Sequence, residues 1–200
     1  MSKFSDYLEA ISKINELENG LHHDLLKELP SSSVSSSKVQ WLFHSGMLFS
    51  SQDKWWGDFG CRHATHEGID ITFYRTDQNK ILCFDDSIKV PAMDDGIILN
   101  ICDDFLAQTL VIKFKDCVSF SRQILFVYAH IIPERGLKSG HSVTTNDLIA
   151  KISNTYKNPQ LPPHLHFSCF EISRDIKPEH LNWDLFSKSP DINLINPVFL

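Results

Sequence analysis

The sequence predicts a mainly β fold, a compact antiparallel sheet or sandwich, with an α-helical appendage at its N-terminal end. Three observations carry this. From residue 39 onward, short apolar and β-branched runs alternate with turn signals such as "MDDG", "ERG", "KSG" and "NPQLPP". Helical spacing of apolar residues is confined to positions before that point. Hydrophobic residues make up 42% of the 200, with 14 Phe, 4 Trp and 4 Tyr among them, enough to fill one packed core.

In chain order, Phe4, Tyr7, Leu8, Ile11, Ile14 and Leu17 recur three and four residues apart, which predicts a helix over 3–19 with Gly20 as its stop. A shorter helical piece around "HHDLLKEL" ends before Pro30, with His22 and His23 as solvated residues on it. The polar stretch "SSSVSSSK" (31–38) cannot bury itself and reads as a linker. Residues 1–38 are thus expected to be a helical segment and Ser-rich linker, and 39–200 a β domain. Strands are predicted at "IDITFYR" (69–75), "SIKVPA" (87–92), "GIILNI" (96–101), "TLVIKF" (109–114), "ILFVYAHI" (124–131), "DLIAKI" (147–152) and "HLHFSCFEI" (164–172). They suit a sandwich or a partly open barrel. The tail beyond 175, with "NWDLF" and three prolines, is expected to wrap the body in irregular form. No internal repeat is present.

Charge and composition narrow the function. With 19 basic and 25 acidic residues the formal net charge is −6, and no basic stripe offers a nucleic-acid footprint. No run approaches the ~20 apolar residues of a membrane span, so stable membrane insertion is not expected. The start of the chain lacks the basic and apolar regions of a secretory signal, which predicts a cytoplasmic protein. Cys61, Cys83, Cys102, Cys117 and Cys169 are odd in number and widely spaced, the pattern of buried free thiols rather than of a disulfide frame or a cysteine zinc site. Nothing in the sequence sets the oligomeric state.

Chemistry concentrates in three stretches. In "PPHLHF", His164 and His166 lie two apart on a strand and point to one face, with Leu165 and Phe167 on the other. In "ATHEGIDITF", His66 and Asp70 lie four apart and share a face whether the chain is extended or helical, and Gly68 between them permits a bend. In "VYAHI", Tyr128 and His130 are expected on one face, opposite Val127 and Ala129. H-x-H and H-x-x-x-D occur often by chance, and a lone strand histidine is usually a hydrogen-bonded core residue. Four histidines and an aspartate together, all at strand ends or on one strand face, point to a metal. Zinc accepts imidazole nitrogen and carboxylate oxygen, and a catalytic site keeps one tetrahedral position for water. Two histidines left over could move protons near neutral pH.

In that order along a β-rich chain, "HEGIDI", "VYAHI" and "PPHLHF" resemble the lysostaphin/LytM-type zinc metallopeptidases, over about 64–172 and including "VPAMDDGIIL" and "NDLIAKISNT". The resemblance implies one zinc ion held by His66, Asp70 and His166, with His130 and His164 catalytic. It implies a compact antiparallel β fold with a groove and hydrolysis of amide bonds by metal-bound water, in the peptide part of peptidoglycan. Where that family has a glycine- and threonine-rich turn before H-x-H, this chain has "SNTYKNPQLPP". Where the family has a glycine-rich stretch, this chain has "CDDFLAQTL", so the groove's walls differ. A cytoplasmic zinc hydrolase acting on a non-wall peptide, a non-catalytic binding or regulatory module on the same fold, and a structural histidine cluster without metal are the alternative readings.

Other residues are weaker candidates. Glu67 beside His66 does not complete H-E-x-x-H, because position 70 is Asp. His63 is expected near the site without ligating, and Arg62 in a surface salt bridge or on a substrate carboxylate. Trp55 and Trp56 are expected to floor a groove or to pack in the core. The pairs Asp85–Asp86, Asp94–Asp95 and Asp103–Asp104 lack the alternating oxygen ligands of a calcium loop and read as turns with solvated charge. His44, His141 and His180 have no partner motif.

Overall fold

The computed structural model describes residues 2–17, 39–115, 121–155 and 157–200. The second helical piece, the Ser-rich linker, His22, His23 and Cys117 lie outside the described residues. Helix α1 (Lys3–Ile14) begins at Ser2, whose side chain accepts the backbone N–H of Ser5, and it carries Asp6 in its first turn and Lys13 in its last. Its buried face is Phe4, Tyr7 and Ile11. Beyond its end, Asn15 Nδ2 donates to the Lys89 carbonyl and Asn15 Oδ1 accepts the Lys89 N–H at 2.7 Å, which ties the helix to a neighbouring strand.

Among the described residues twelve strands follow: β1 (Gln40–Leu42), β2 (Gly68–Ile71), β3 (Phe73–Arg75), β4 (Ile81–Leu82), β5 (Lys89–Pro91), β6 (Gly96–Asp103), β7 (Gln108–Phe114), β8 (Arg122–Pro133), β9 (Ser142–Val143), β10 (Leu148–Ile152), β11 (Leu165–Ser173) and β12 (Asn193–Ile195). All their pairings are antiparallel. The main sheet runs β12-β11-β8-β7-β6-β9, with β2 joining β11, and β10 bridging β8 and β5. A separate three-stranded sheet has the order β1-β3-β4. Among the described residues no helix is long and apolar enough to cross a membrane.

All seven predicted strands are present, with two corrections. The run 69–75 is two strands in different sheets. Thr72 breaks it, donating its hydroxyl to the Pro163 carbonyl at 2.8 Å and accepting the Phe84 N–H. The tail is not irregular. It forms α2 (Trp183–Lys188), capped by Asn182, and then β12, which pairs with β11 through Cys169, Phe170 and Glu171.

β11 divides the molecule. Its odd positions, Leu165, Phe167 and Cys169, enter the large core together with Phe126 and Tyr128 of β8, and α1 closes that core with Phe4, Tyr7 and Ile11. Phe170 and Ile172, on the other face, join Val111, Leu125 and Val127 in a second apolar layer covered by Phe186 of α2. His166 and Ser168 continue the same row of even positions. One face of one strand is therefore apolar at one end and carries the chemistry at the other.

Candidate metal centre

The β2–β11 register sets Asp70 directly opposite His166, so the two side chains share a face with no sequence proximity. Asp70 is buried, and its two oxygens have separate work. Oδ2 accepts the Trp55 indole N–H at 2.6 Å and an Arg62 Nη2–H at 3.3 Å. Oδ1 turns toward His66 Nε2 at 3.2 Å and His166 Nδ1 at 2.8 Å. His66 Nε2 and His166 Nδ1 stand 3.1 Å apart. Burial alone would raise the Asp70 carboxyl; the imidazoles of His164, His66 and His166 outweigh it and hold the group well below the usual carboxylate range.

The outer hydrogen bonds fix which ring nitrogens carry protons. His66 Nδ1 faces the Leu48 carbonyl at 3.0 Å, and a carbonyl only accepts, so Nδ1 bears the hydrogen and Nε2 a lone pair. His164 repeats this, with Nδ1 on the Pro162 carbonyl at 2.9 Å and Nε2 3.7 Å from Asp70 Oδ1. His166 has Ser168 Oγ 2.8 Å from Nε2, a hydroxyl that can take the Nε2 hydrogen and leave the Nδ1 lone pair to the centre. In those tautomers lone pairs and a carboxylate oxygen converge, an arrangement that a divalent cation would resolve. The donor atoms of His66, Asp70 and His166 lie within 4.8 Å of one another, all three residues buried. The donor set of two imidazole nitrogens and one carboxylate oxygen fits zinc.

Gly68 has a different role from the bend expected of it. A Cβ there would lie 2.4 Å from Ser168 Oγ and 2.9 Å from His166 Nε2, so glycine lets β2 approach the hydrogen bond that orients the His166 ring.

The centre opens into a cavity of about 230 Å³, lined by the five predicted site residues and walled by Trp56, Phe105, Leu161 and Trp183. His164 is buried against the edge of Trp55. That burial pushes its imidazole down to about 3, leaving it neutral at ordinary pH. His130 packs 4.9 Å from the His164 ring and 5.7 Å from that of His166.

His130 does not share a face with Tyr128, contrary to the alternation expected of β8. Tyr128 points into the large core and accepts the Met93 N–H at its hydroxyl. Ile131 points into that core as well. Between them β8 carries an extra residue: Gln108 pairs with Ile131 and Leu110 with Tyr128, two steps on β7 against three on β8. This is a β-bulge, with His130 in the left-handed region at φ 63°. The bulge turns the imidazole out of the core and into the cavity.

The remaining candidates separate. Trp55 lies in a small cluster with Met47, Leu106 and Leu161 and acts on Asp70 through its N–H. Trp56 lines the cavity beneath the Arg62 guanidinium at 4.5 Å, and Arg62 is bound inward to Asp70 and the Gly46 carbonyl rather than at the surface. Glu67 is half-buried at the rim, 3.8 Å from His166 Nε2. His63 is exposed and lines no part of the cavity. His44 accepts the Gly46 N–H in a short turn. Asp104, expected to be a solvated turn residue, is buried under His130. Burial alone would raise its carboxyl, but the His130 hydrogen bond and charge and the Ala107 and His130 N–H groups hold it far below the usual range.

Three contributors escaped the sequence reading. Ser168 was legible, since H-x-H-x-S keeps period two on one face. Asp104 and Trp183 were not. Asp104 sits at the tip of the β6–β7 hairpin, and Trp183 on α2 places its ring 5.5 Å from His166; only the fold brings either to the centre.

No family model and no curated protein matches the sequence. Among solved structures, the chain is similar to the catalytic domain of the antimicrobial peptidase lysostaphin from Staphylococcus simulans, at 16% identity and a TM-score of 0.44, over 72% of this chain and 86% of that one. A zinc-containing peptidase from Vibrio cholerae is similar at 18% identity and a TM-score of 0.42, over 67% of this chain and 33% of its own. A putative glycyl-glycine endopeptidase lytM from Ruminococcus gnavus is similar at 19% and 0.41, over 71% and 52%. The chain thus spans most of the first of these and about a third to a half of the other two. Two of the three bear the names of the lysostaphin/LytM group that the ordered motifs resemble.

Proposed function

We propose that the protein is a zinc-dependent metalloendopeptidase that hydrolyses amide bonds in the cross-link peptides of peptidoglycan. One observation carries the metal and hydrolase parts: His66 Nε2, Asp70 Oδ1 and His166 Nδ1 converge at the floor of a cavity that also holds two further histidines. The order of "HEGIDI", "VYAHI" and "PPHLHF" supports the choice of amide bonds and of wall peptides. His66, Asp70 and His166 would hold the ion, which supplies a Lewis acid for a carbonyl oxygen and lowers the pKa of bound water.

The protein's own groups do the rest. His164 holds its Nδ1 hydrogen on the Pro162 carbonyl, which leaves the Nε2 lone pair at the cavity, placed to accept a proton from water beside the centre. His130 faces the same space and is suited to steady the negative charge that develops on the carbonyl oxygen. Trp56, Phe105, Leu161 and Trp183 exclude water around the reacting bond and strengthen each electrostatic contact within.

The test is mass spectrometry of purified peptidoglycan sacculi incubated with zinc-loaded protein, a chelated sample beside it. Zinc-dependent release of cross-link fragments is expected, and the fragment masses name the bond. His164→Ala should lower turnover by roughly 10²–10⁴ and keep zinc, whereas Asp70→Ala and His166→Ala should lose the metal. Intact sacculi with zinc bound would overturn the wall substrate and favour a non-wall peptide. Full turnover in His164→Ala would overturn the role given to that residue.

A further inference from the structure

His130 reaches the cavity only through the bulge in β8, and one carboxylate touches both the backbone and the ring of the bulged residue. Asp104 Oδ2 accepts the His130 backbone N–H at 2.9 Å, and Oδ1 lies 3.1 Å from His130 Nδ1. The same carboxylate accepts the Leu106 and Ala107 N–H groups at 2.8 Å and the Thr109 hydroxyl at 2.9 Å. Thr109 in turn accepts the Trp183 indole N–H at 2.8 Å. An aspartate that only capped the hairpin tip would need Leu106 and Ala107 and nothing more. This one is buried, ionised and engaged by groups from three separate elements.

We propose that Asp104 is a positioning residue for the catalytic machinery: it clamps the β8 bulge that delivers His130 to the cavity and fixes the His130 proton on Nδ1. An ionised carboxylate can only accept, so Nδ1 facing it must carry hydrogen. Nε2 is then the nitrogen that works in the cavity, in the same tautomer that Pro162 imposes on His164. The left-handed backbone of His130 is uncommon for a residue with a side chain, and the Asp104–N–H bond holds it there. The His130 N–H and the Thr109 hydroxyl both donate to Oδ2, and Trp183 holds Thr109 in place from behind, which keeps the carboxylate from turning.

The proposal concerns the site of the proposed peptidase, but one arm of its test needs no substrate. Long-range proton–nitrogen NMR of the zinc-loaded protein, labelled with ¹⁵N-histidine, reads the tautomer of each ring. His130 is expected as the Nδ1–H form; an Nε2–H form in the wild-type protein overturns the clamp. In Asp104→Asn one of the two acceptor oxygens becomes a donor, so His130 should lose the pure Nδ1–H signature while His164 keeps its own. With substrate, kcat in that variant should fall about a hundredfold, as expected for a misplaced acid–base group, with KM within about twofold and zinc content unchanged. An unaltered His130 signature together with kcat within about threefold of wild type overturns the proposal. Should Asp104→Asn fail to fold, the wild-type tautomer still decides. A wild-type protein with the Nδ1–H signature and no zinc-dependent cleavage keeps the clamp and sinks the peptidase reading instead.

Discussion

At Gly68 the sequence and the structure give the same residue different reasons. Its place between His66 and Asp70 reads as a bend, yet its backbone lies outside the left-handed region, and what matters is the missing Cβ. A methyl there would meet Ser168 Oγ, the Phe167 carbonyl and His166 Nε2, two of them parts of the hydrogen bond that orients the His166 ring. Gly68→Ala is therefore expected to weaken zinc binding by about tenfold or more and to cost about 1–3 kcal/mol, read by chelator competition and chemical unfolding. Unchanged affinity would show that the ligand's orientation survives the displaced Ser168. His164 makes a prediction of a different kind. Its unfolded imidazole titrates near ~6.5, while burial pushes the folded one down to about 3. Between those values the unfolded chain binds the extra proton, so the metal-free protein loses stability as pH falls, by about 3 kcal/mol from this group at pH 4. Urea unfolding at pH 7 and pH 4 tests this, and His164→Gln should flatten that part of the profile. The grouping of Asp70, His164 and His166 on the cavity side was legible in the sequence because strand parity places them; the Asp104 and Trp55 contacts were not, because each partner lies on a different element.

Elements long enough to show a period were readable, and short ones were not. α1 and the eight strands that fall on the seven predicted runs follow from apolar spacing. β1, β4, β9 and β12 span only two or three residues, and their existence depends on the partner each meets. α2 has six residues, too few to display a helical stripe, and its position follows from one stack: Phe186 lies on Phe170 at 4.6 Å with the rings 7° from parallel. That contact seats Trp183 over His166. Phe186→Ala should cost about 3 kcal/mol by urea unfolding. A loss under about 1 kcal/mol would mean that α2 rests on the sheet without depending on that stack.

Across the whole molecule, the centre joins strands that are distant in sequence. Asp70 enters on β2 and His66 on the segment just before it, His166 on β11 and His130 on β8, with the ladder supplying the register of the strand residues. The order of the motifs was visible in the chain, but that β2 lies beside β11 was not, since no periodicity encodes which strand pairs with which. An ion bound here cross-links the first and last of these segments. Zinc at a hundred times its dissociation constant should add about 2.7 kcal/mol and raise the melting temperature by roughly 5–11 °C for a chain of this size. Calorimetry with zinc and with chelator measures it; coincident transitions would mean the site does not hold zinc in the folded state. The bulge in β8 has one more consequence. A strand is a two-beat alternation, and β8 misses a beat: Phe126 and Tyr128 fall on the core side before it, Ile131 after it, and Ala129 with His130 occupy one beat between them. Loss of the single codon for Ala129 would put the strand back in step with histidine still on the cavity side, whereas no substitution at that codon can. The smallest genetic step that re-times this part of the sheet is thus an insertion or a deletion, and the middle histidine sits where one such step has its whole effect.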